Sequence, residues 1–250
     1  MPKLADMHNH ALFGVDDGAQ TLADTMDMIA VSYAEGVRVL CLTPHADPVR
    51  FRCEAETVEA HYREIQALCH EKFPDLSLYR GNELYGYQGC LELLVAGQYC
   101  PLGNGRSVLV EFALDVTYLE MYNFFLSCRG VGYYPVLAHA ERYECLANNI
   151  DRVCELAHMR IMIQVNASSV LRRLVATPWM RAARRMMEAG VVDIIASDAH
   201  GVKSRSPQLL QAYCMVAKQY GAARANRLFY ETPQRLLAGE IERNAYEQSV

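Results

Sequence analysis

Short apolar runs alternate with longer amphipathic stretches from one end of the chain to the other, at residues 4–7, 37–42, 76–79, 108–110, 136–138, 161–165 and 192–196. The runs are rich in Val, Ile and Leu, the pattern expected of βα units around a parallel sheet. Between the first two runs, Leu22, Met26, Ile29 and Tyr33 recur at helical spacing, behind a capping box Thr21-x-x-Asp24 and ahead of Gly36. Thr177-Pro178 and Ser206-Pro207 each pair an N-cap with a proline at the first helical position, and Gly190 and Gly221 stand where helices end. Further helices are predicted over 58–73, 118–128, 150–157 and 222–239. No repeat, low-complexity tract or Gly/Ser/Pro-rich linker interrupts the pattern, so residues 1–250 read as one α/β domain of the length that a (β/α) barrel uses.

In such a barrel the residue just past the carboxyl end of a strand faces the active site. Reading just past the runs gives His8 and His10, His45, Glu83, Glu111, His139, Asn166, and finally Asp198 with His200. Of the 8 histidines only His61, His70 and His158 fall on helices, where a solvated face explains them. A single histidine after a strand is more often a hydrogen-bonded structural residue than a ligand. Two pairs, His8-x-His10 and Asp198-x-His200, change that reading, because alternate residues of an extended segment point the same way and reach one ion together. Asp17, in the loop Gly14-Val-Asp-Asp-Gly18, completes nine candidates: five imidazoles and four carboxylates. Gathered without cations, the carboxylates would repel and be forced to protonate. Nine ligands exceed what one ion uses, which implies two or three divalent metals, and a nitrogen and oxygen set without thiolate suits Mn, Fe or Zn. A metal-bridging hydroxide, and therefore hydrolysis, is the chemistry expected of such a site.

Arg142 follows His139 by three positions and Arg205 follows His200 by five, which places two guanidinium groups on loops leaving the same rim. Their forked geometry matches phosphate oxygens, so a phosphoryl substrate is expected, with Arg50 and Arg52 as weaker candidates for the same task. Phe13, Tyr85, Tyr87 and Tyr143 could flank an aromatic ring, although core packing explains an aromatic equally well.

The composition narrows the field. The formal net charge of −5 leaves no basic field for nucleic acid, and 52% hydrophobic residues suffice for a large core. The 9 cysteines are scattered without a CxxC pair and read as reduced thiols, mostly core filler. No apolar run approaches the ~20 residues of a membrane span, nor does the start of the chain read as a signal peptide, so a cytoplasmic location without membrane insertion is expected.

The segments Asp6-Met-His-Asn-His10, Val15-Asp-Asp-Gly18, Thr43-Pro-His45, Gly81-Asn-Glu83, Val110-Glu-Phe112, Ala138-His-Ala-Glu-Arg-Tyr143, Gln164-Val-Asn-Ala-Ser168 and Ala196-Ser-Asp-Ala-His200, in this order, resemble the polymerase-and-histidinol-phosphatase (PHP) superfamily. Within it they are similar to the capsule-type bacterial tyrosine phosphatases of the CpsB/YwqE kind. That resemblance implies a distorted (β/α)7, TIM-like barrel with a trinuclear, usually manganese-supported site that removes phosphate from phosphotyrosine. Carried over by position, it assigns one ion to His8, His10, Glu83 and Asp198, a second to Glu83, Glu111 and His139, and a third to Asp17, His45 and His200. It further implies that Glu83 bridges, that Arg142 and Arg205 bind phosphate, and that the substrate is a bacterial tyrosine autokinase controlling polysaccharide export. Asp17 or His200 is a candidate to assist the leaving group. The segment Ala46-Asp-Pro-Val-Arg-Phe51 departs from the family's more polar loops.

Three rivals remain at this stage. Cys100-Pro-Leu-Gly-Asn-Gly-Arg106 has the Cys-x5-Arg spacing of thiol-dependent tyrosine phosphatases, but it runs into a strand instead of opening a helix. A histidinol-phosphate or other small phosphomonoester phosphatase would use the same metal logic. A metal-stabilised binding module would perform no chemistry.

Overall fold

The computed structural model describes residues 1–51, 54–171 and 175–241; Arg52 and Cys53, considered above, lie outside the described residues. Nine strands are present there: β1 (Leu4–Asp6), β2 (Val37–Leu42), β3 (His45–Ala46), β4 (Ser77–Arg80), β5 (Glu83–Tyr85), β6 (Ser107–Glu111), β7 (Tyr134–Leu137), β8 (Met162–Asn166) and β9 (Ile194–Ala196). All pair in parallel. Two of the seven expected strands are split. Pro44 has no N–H to give to the ladder, so β2 and β3 are separate segments of one course. Its neighbour β4–β5 still follows it across the break: Gly81 N–H donates to the Leu42 carbonyl at 2.9 Å and Glu83 N–H to that of Pro44 at 3.1 Å.

The ring runs β1-β2-β4 in one sheet and β3-β5-β6-β7-β8-β9 in the other. A parallel bridge between Asn9 and Ala199 joins the last course back to the first, with His10 N–H donating to the Ala199 carbonyl and Asp198 N–H to that of His8, both at 2.8 Å. The result is the distorted seven-course (β/α) barrel expected from the sequence.

The strands sort their side chains by parity. Ala5, Val39, Cys41, Leu109, Val136, Ile194 and Ala196 pack in one apolar cluster, joined by Leu102, Leu236 and Leu237. Leu40, Leu42, Val108, Val110, Leu137 and Ile195 pack with the helices in the other. Continuing the first parity past Leu109 reaches Glu111, and past Ala196 it reaches Asp198; Met162 leads likewise to Gln164 and Asn166. The interior face of the strands therefore changes from apolar to polar at one mouth.

Most helix boundaries follow their local signals. Helix Leu22–Ala34 has the Thr21/Asp24 capping box, and helix Pro178–Ala189 starts from Thr177 and stops at Gly190, whose φ of 78° suits glycine. Ser206-Pro207 does not open a helix as expected. The helix begins at Leu209, where the Glu35 carboxylate accepts the N–H groups of Leu209 and Leu210 at 2.6 and 3.2 Å, so a residue far away in sequence supplies the cap. The predicted 222–239 helix is divided into Ala222–Asn226 and Thr232–Leu237 by a π-helical turn, Arg227–Glu231, ahead of Pro233, whose ring nitrogen cannot continue the helical ladder.

His61 is more than a solvated helix residue. Its ring stacks on Phe13 at 4.0 Å and its Nδ1 meets the Phe13 carbonyl at 3.0 Å, which ties helix Ala55–Lys72 to the loop after β1. Of the described cysteines, Cys41, Cys69, Cys90 and Cys128 are buried as core residues, Cys214 is exposed, and none forms a disulfide. No described helix is long and apolar enough to cross a membrane.

A cavity of about 820 Å³ lies at the amino-terminal mouth, where Tyr134, Met162 and Asp193 line it. Asp193 is largely buried and accepts the Ile163 N–H at 2.9 Å; burial pushes its carboxyl up to about 6 from 3.8. Folding thus favours protonated Asp193, a contribution fully present below about pH 4 and lost as pH rises through about 6. Asp193→Asn, which keeps an acceptor without a charge, is expected to stabilise the protein at pH 7.5 by at most about 3 kcal/mol and to make no difference at pH 4, as read by denaturant melts at the two pH values.

Candidate metal centre

All nine sequence candidates converge at the carboxyl-terminal mouth. Glu83, fully buried at the start of β5, lies at their centre. Its Oε1 is 3.1 Å from His8 Nε2 and 3.0 Å from His139 Nε2, and its Oε2 is 3.3 Å from His10 Nε2 and 3.0 Å from His45 Nδ1. Asp198 Oδ1 is 3.6 Å from the Nε2 atoms of both His8 and His10. His45 Nδ1 is also 2.9 Å from Glu111 Oε1, while Asp17 Oδ1 is 3.5 Å from His45 Nε2 and 3.4 Å from His200 Nε2. Three overlapping groups present their donor atoms within 4.8 Å of one another: His10, Asp17, His45 and His200; His8, His10 and Asp198; and His45, Glu83 and Glu111. His10 and His45 each belong to two of these, a more shared arrangement than the resemblance implies, and His139 meets Glu83 more closely than Glu111, which is 4.0 Å away.

The hydrogen bonds behind the imidazoles show why this arrangement needs cations. His8 Nδ1 faces the Gln164 Oε1 acceptor at 3.1 Å, and His10 Nδ1 faces Asp16 Oδ2 at 2.7 Å. Neutral rings in these bonds donate outward, so their Nε2 atoms, 3.3 Å apart, would face each other and the carboxylate oxygens as lone pairs. Nδ1 of His45 and Nδ1 of His139 are buried without a well-aligned hydrogen-bond partner. With no other cation, the cluster recruits protons. Burial opposes charge on His10, yet its hydrogen bonds to Asp16 and Glu83 push it up to about 9, and the Glu83 charge raises His45 despite its own burial. Burial would likewise raise Glu83, but the surrounding imidazoles hold it well below the usual carboxylate range. Divalent metal satisfies the same demand by displacing those protons, so the donor set fits a multinuclear metal site.

Residues that sequence reasoning passed over hold the cluster in shape. Asp16, beside the expected Asp17, is buried, orients His10 and accepts the His45 N–H at 3.0 Å. A Cβ on Gly18 would lie 2.0 Å from the His10 carbonyl oxygen, so only glycine allows the Asp16-Asp17 loop to press against His10. Gln164 accepts the His139 N–H at 2.8 Å with the same Oε1 that meets His8, and donates to Asn166 Oδ1 at 2.9 Å. Asn166, whose role the sequence left open, donates to Asp198 Oδ2 at 2.7 Å. Buried Asp6 accepts from the Ser197 hydroxyl at 2.6 Å and its N–H at 3.0 Å, which fastens β1 to the end of β9. His139, Asp198 and Arg205 adopt left-handed φ angles of 33°, 53° and 49°, strain that a surrounding network must hold in place. The signal for Gln164 was available, since a polar residue inside an otherwise apolar strand has to find a partner.

Arg142 and Arg205 reach the same mouth. Arg205 Nη2 is 2.9 Å from Asp198 Oδ1 and Arg142 Nη2 is 3.3 Å from Asp198 Oδ2, with Arg142 stacked over Trp179 at 5.3 Å. They line a pocket of about 390 Å³ with Arg50, Tyr85, Ala113 and Leu114. Of the four aromatic candidates only Tyr85 lines it. Phe13 stacks on His61, Tyr87 packs against the core, and Tyr143 is fully buried with its hydroxyl accepting the Phe112 N–H at 3.2 Å.

The Cys-x5-Arg string is not assembled as a site. The Cys100 N–H is bound to Asn82 Oδ1 at 2.8 Å, burial pushes its thiol up, and Arg106 lies over Tyr133, 4.8 Å from the ring centre. A thiolate nucleophile needs the opposite shift.

Comparison with known proteins agrees with this architecture. The chain is 31% identical over 242 residues to the tyrosine-protein phosphatase CpsB of Streptococcus pneumoniae, covering 95% of this chain and 100% of that protein. It is 28% identical over 220 residues to the tyrosine-protein phosphatase YwqE of Bacillus subtilis, covering 88% and 86%. Its fold superimposes with a TM-score of 0.86, at 25% identity and 95% coverage of both chains, on a structure from a study of YwqE from Bacillus subtilis and CpsB from Streptococcus pneumoniae, described as unique metal-dependent tyrosine phosphatases. A phosphotriesterase homology protein from Escherichia coli shares the fold alone, at a TM-score of 0.60 and 10% identity. The family model for capsular polysaccharide synthesis, CpsB/CapC, matches residues 4–238, and the chain belongs to that family.

Proposed function

We propose that this chain, acting as one domain, is a metal-dependent protein-tyrosine phosphatase. The observation that carries this reading is the convergence of imidazole nitrogens and carboxylates on Glu83, with Arg142 and Arg205 directly above Asp198. His8, His10, Asp17, His45, Glu83, Glu111, His139, Asp198 and His200 would hold two to three divalent ions, with manganese as the ion we infer in use and iron or zinc as alternatives. Such ions, when bound, supply Lewis acidity toward phosphoryl oxygens and bring the pKa of a water toward ~7.

The chain's own groups do the rest. Arg142 and Arg205 bind the non-bridging oxygens and neutralise the charge of the transferring phosphoryl group, and Asp198 holds both guanidinium groups toward it. Gln164 and Asn166 keep His8, His139 and Asp198 oriented through the reaction. Tyr85, Ala113 and Leu114 offer an apolar wall against which a phenyl ring can lie.

Asp17 and His200, the candidates for assisting departure, are poorly suited to give up a proton. Hydrogen bonds from His200 and His45 hold Asp17 well below the usual carboxylate range, and burial lowers His200. A phenolate, whose conjugate acid has a pKa near 10, leaves without that proton far more readily than an alkoxide. The site is thus matched to aryl rather than alkyl phosphomonoesters, which favours phosphotyrosine over histidinol phosphate. Membership in a capsular polysaccharide synthesis family supports a phosphorylated bacterial tyrosine autokinase as the protein substrate.

Side-by-side turnover tests this. A phosphotyrosyl peptide is expected to be hydrolysed at least about 10²-fold faster than histidinol phosphate, with activity lost on chelation and restored by Mn²⁺. Preference for histidinol phosphate would make the protein a small-metabolite phosphatase, and no turnover of either would leave a binding module. Arg142→Met and Arg205→Met are each expected to lower kcat/KM by about 10²–10³-fold, and Cys100→Ser to change it by less than about twofold.

A further inference from the structure

We propose that the loop of residues 46–51 is a clasp that positions one metal-holding pair, His45 and Glu111, with Arg50 and Phe51 as its positioning residues; this rests on the metal-site reading above.

Two contacts from adjacent residues carry the inference. The Phe51 ring stacks on the His45 imidazole at 5.1 Å, the two planes only 5° apart, and Arg50 Nη2 donates to Glu111 Oε1 at 3.0 Å. His45 and Glu111 are two of the three members of one candidate metal group, so the loop grips both of them and leaves Glu83, held by the barrel interior, as the third. The grip is itself anchored. Asp47 is buried, and its carboxylate accepts the Val49 and Arg50 N–H groups at 2.9 and 3.1 Å and Arg50 Nε at 2.5 Å. Tyr85 lies under the Arg50 guanidinium at 4.9 Å. Arg50 is thus oriented by a carboxylate on one edge and a ring beneath, and presents its remaining N–H groups to the site.

The chemistry explains why the pair needs the clasp. A carboxylate has two rotatable bonds and two oxygens to offer; a fixed donor on Oε1 selects the rotamer in which Glu111 reaches the cluster. An imidazole next to a flat aromatic face loses the freedom to turn about its Cβ–Cγ bond. Both groups stand at the mouth, His45 on the two-residue β3 and Glu111 at the last position of β6, where the ladder fixes their backbone and leaves their side chains to be oriented by what surrounds them. The site therefore assembles its outer metal position from a surface loop and its inner ones from the barrel.

Mn²⁺ titration of the metal-stripped protein by calorimetry, alongside turnover measured against Mn²⁺ concentration, is the test. Arg50→Met, which loosens Glu111, is expected to weaken one equivalent of Mn²⁺ by about 10–100-fold, and Phe51→Leu, which loosens the shared His45, to weaken at most two, with kcat recovering at saturating Mn²⁺ and Arg50→Lys retaining part of the affinity. Val49→Ala, on the most exposed position of the loop, is the control and is expected to match the parent. Unchanged Mn²⁺ affinity in both variants, or an activity loss that metal does not rescue, overturns the clasp and makes Arg50 a substrate contact instead. A parent protein that binds Mn²⁺ in this way but hydrolyses no phosphotyrosine leaves the clasp standing and overturns the proposed function, whereas a parent that binds no Mn²⁺ overturns both.

Discussion

The structure depends on the accumulation of electron-pair donors around Glu83. One carboxylate without solvent contact is approached by four imidazoles, and the outward hydrogen bonds of His8 and His10 turn the lone pairs of the neutral rings toward it. Such an arrangement costs several kcal/mol per uncompensated charge and persists only where cations offset it. Protons answer that demand partly, as the raised His10 and His45 show, and divalent ions answer it fully.

The interior of the barrel exists to hold this geometry. Asp16, Gln164, Asn166, Asp6 and Ser197 form an almost completely satisfied polar layer between the apolar interior and the mouth, and each of them fixes a backbone or a ring behind a candidate ligand. That layer also maintains the left-handed backbone of His139 and Asp198, which re-aims both side chains as the strands end. Closure of the barrel occurs at the same place, because the bridge from Asn9 to Ala199 lies between the two His/Asp pairs. Fold closure and site assembly are a single structural event.

The rim divides the work differently. Arg142 and Arg205 share Asp198, so their positive charge is directed to one point above the cluster, and an apolar wall stands opposite. The loop of residues 46–51 touches the candidate ligands His45 and Glu111 and, through Arg50, lines the pocket as well.

Much of this was legible in the residues alone. The apolar runs specified parallel strands because both faces are buried, and the polar groups past their ends stood out because they recur at every strand end and twice as pairs on alternate residues. Capping at Thr21 and Thr177 was readable because it is local. What involved distant partners was not. The helix at Leu209 waits for Glu35, Pro44 divides a course that continues by hydrogen bonds to its neighbour, and Arg50 ranked below its actual proximity to the cluster because only folding brings Asp47, Tyr85 and Glu111 around it. Sequence determined which groups have affinity for metal and phosphate, since that is a property of side chains. Tertiary structure decided which nitrogen points inward, which carboxylates are shared and which residues orient them, because these follow from contacts between segments that the chain order leaves far apart.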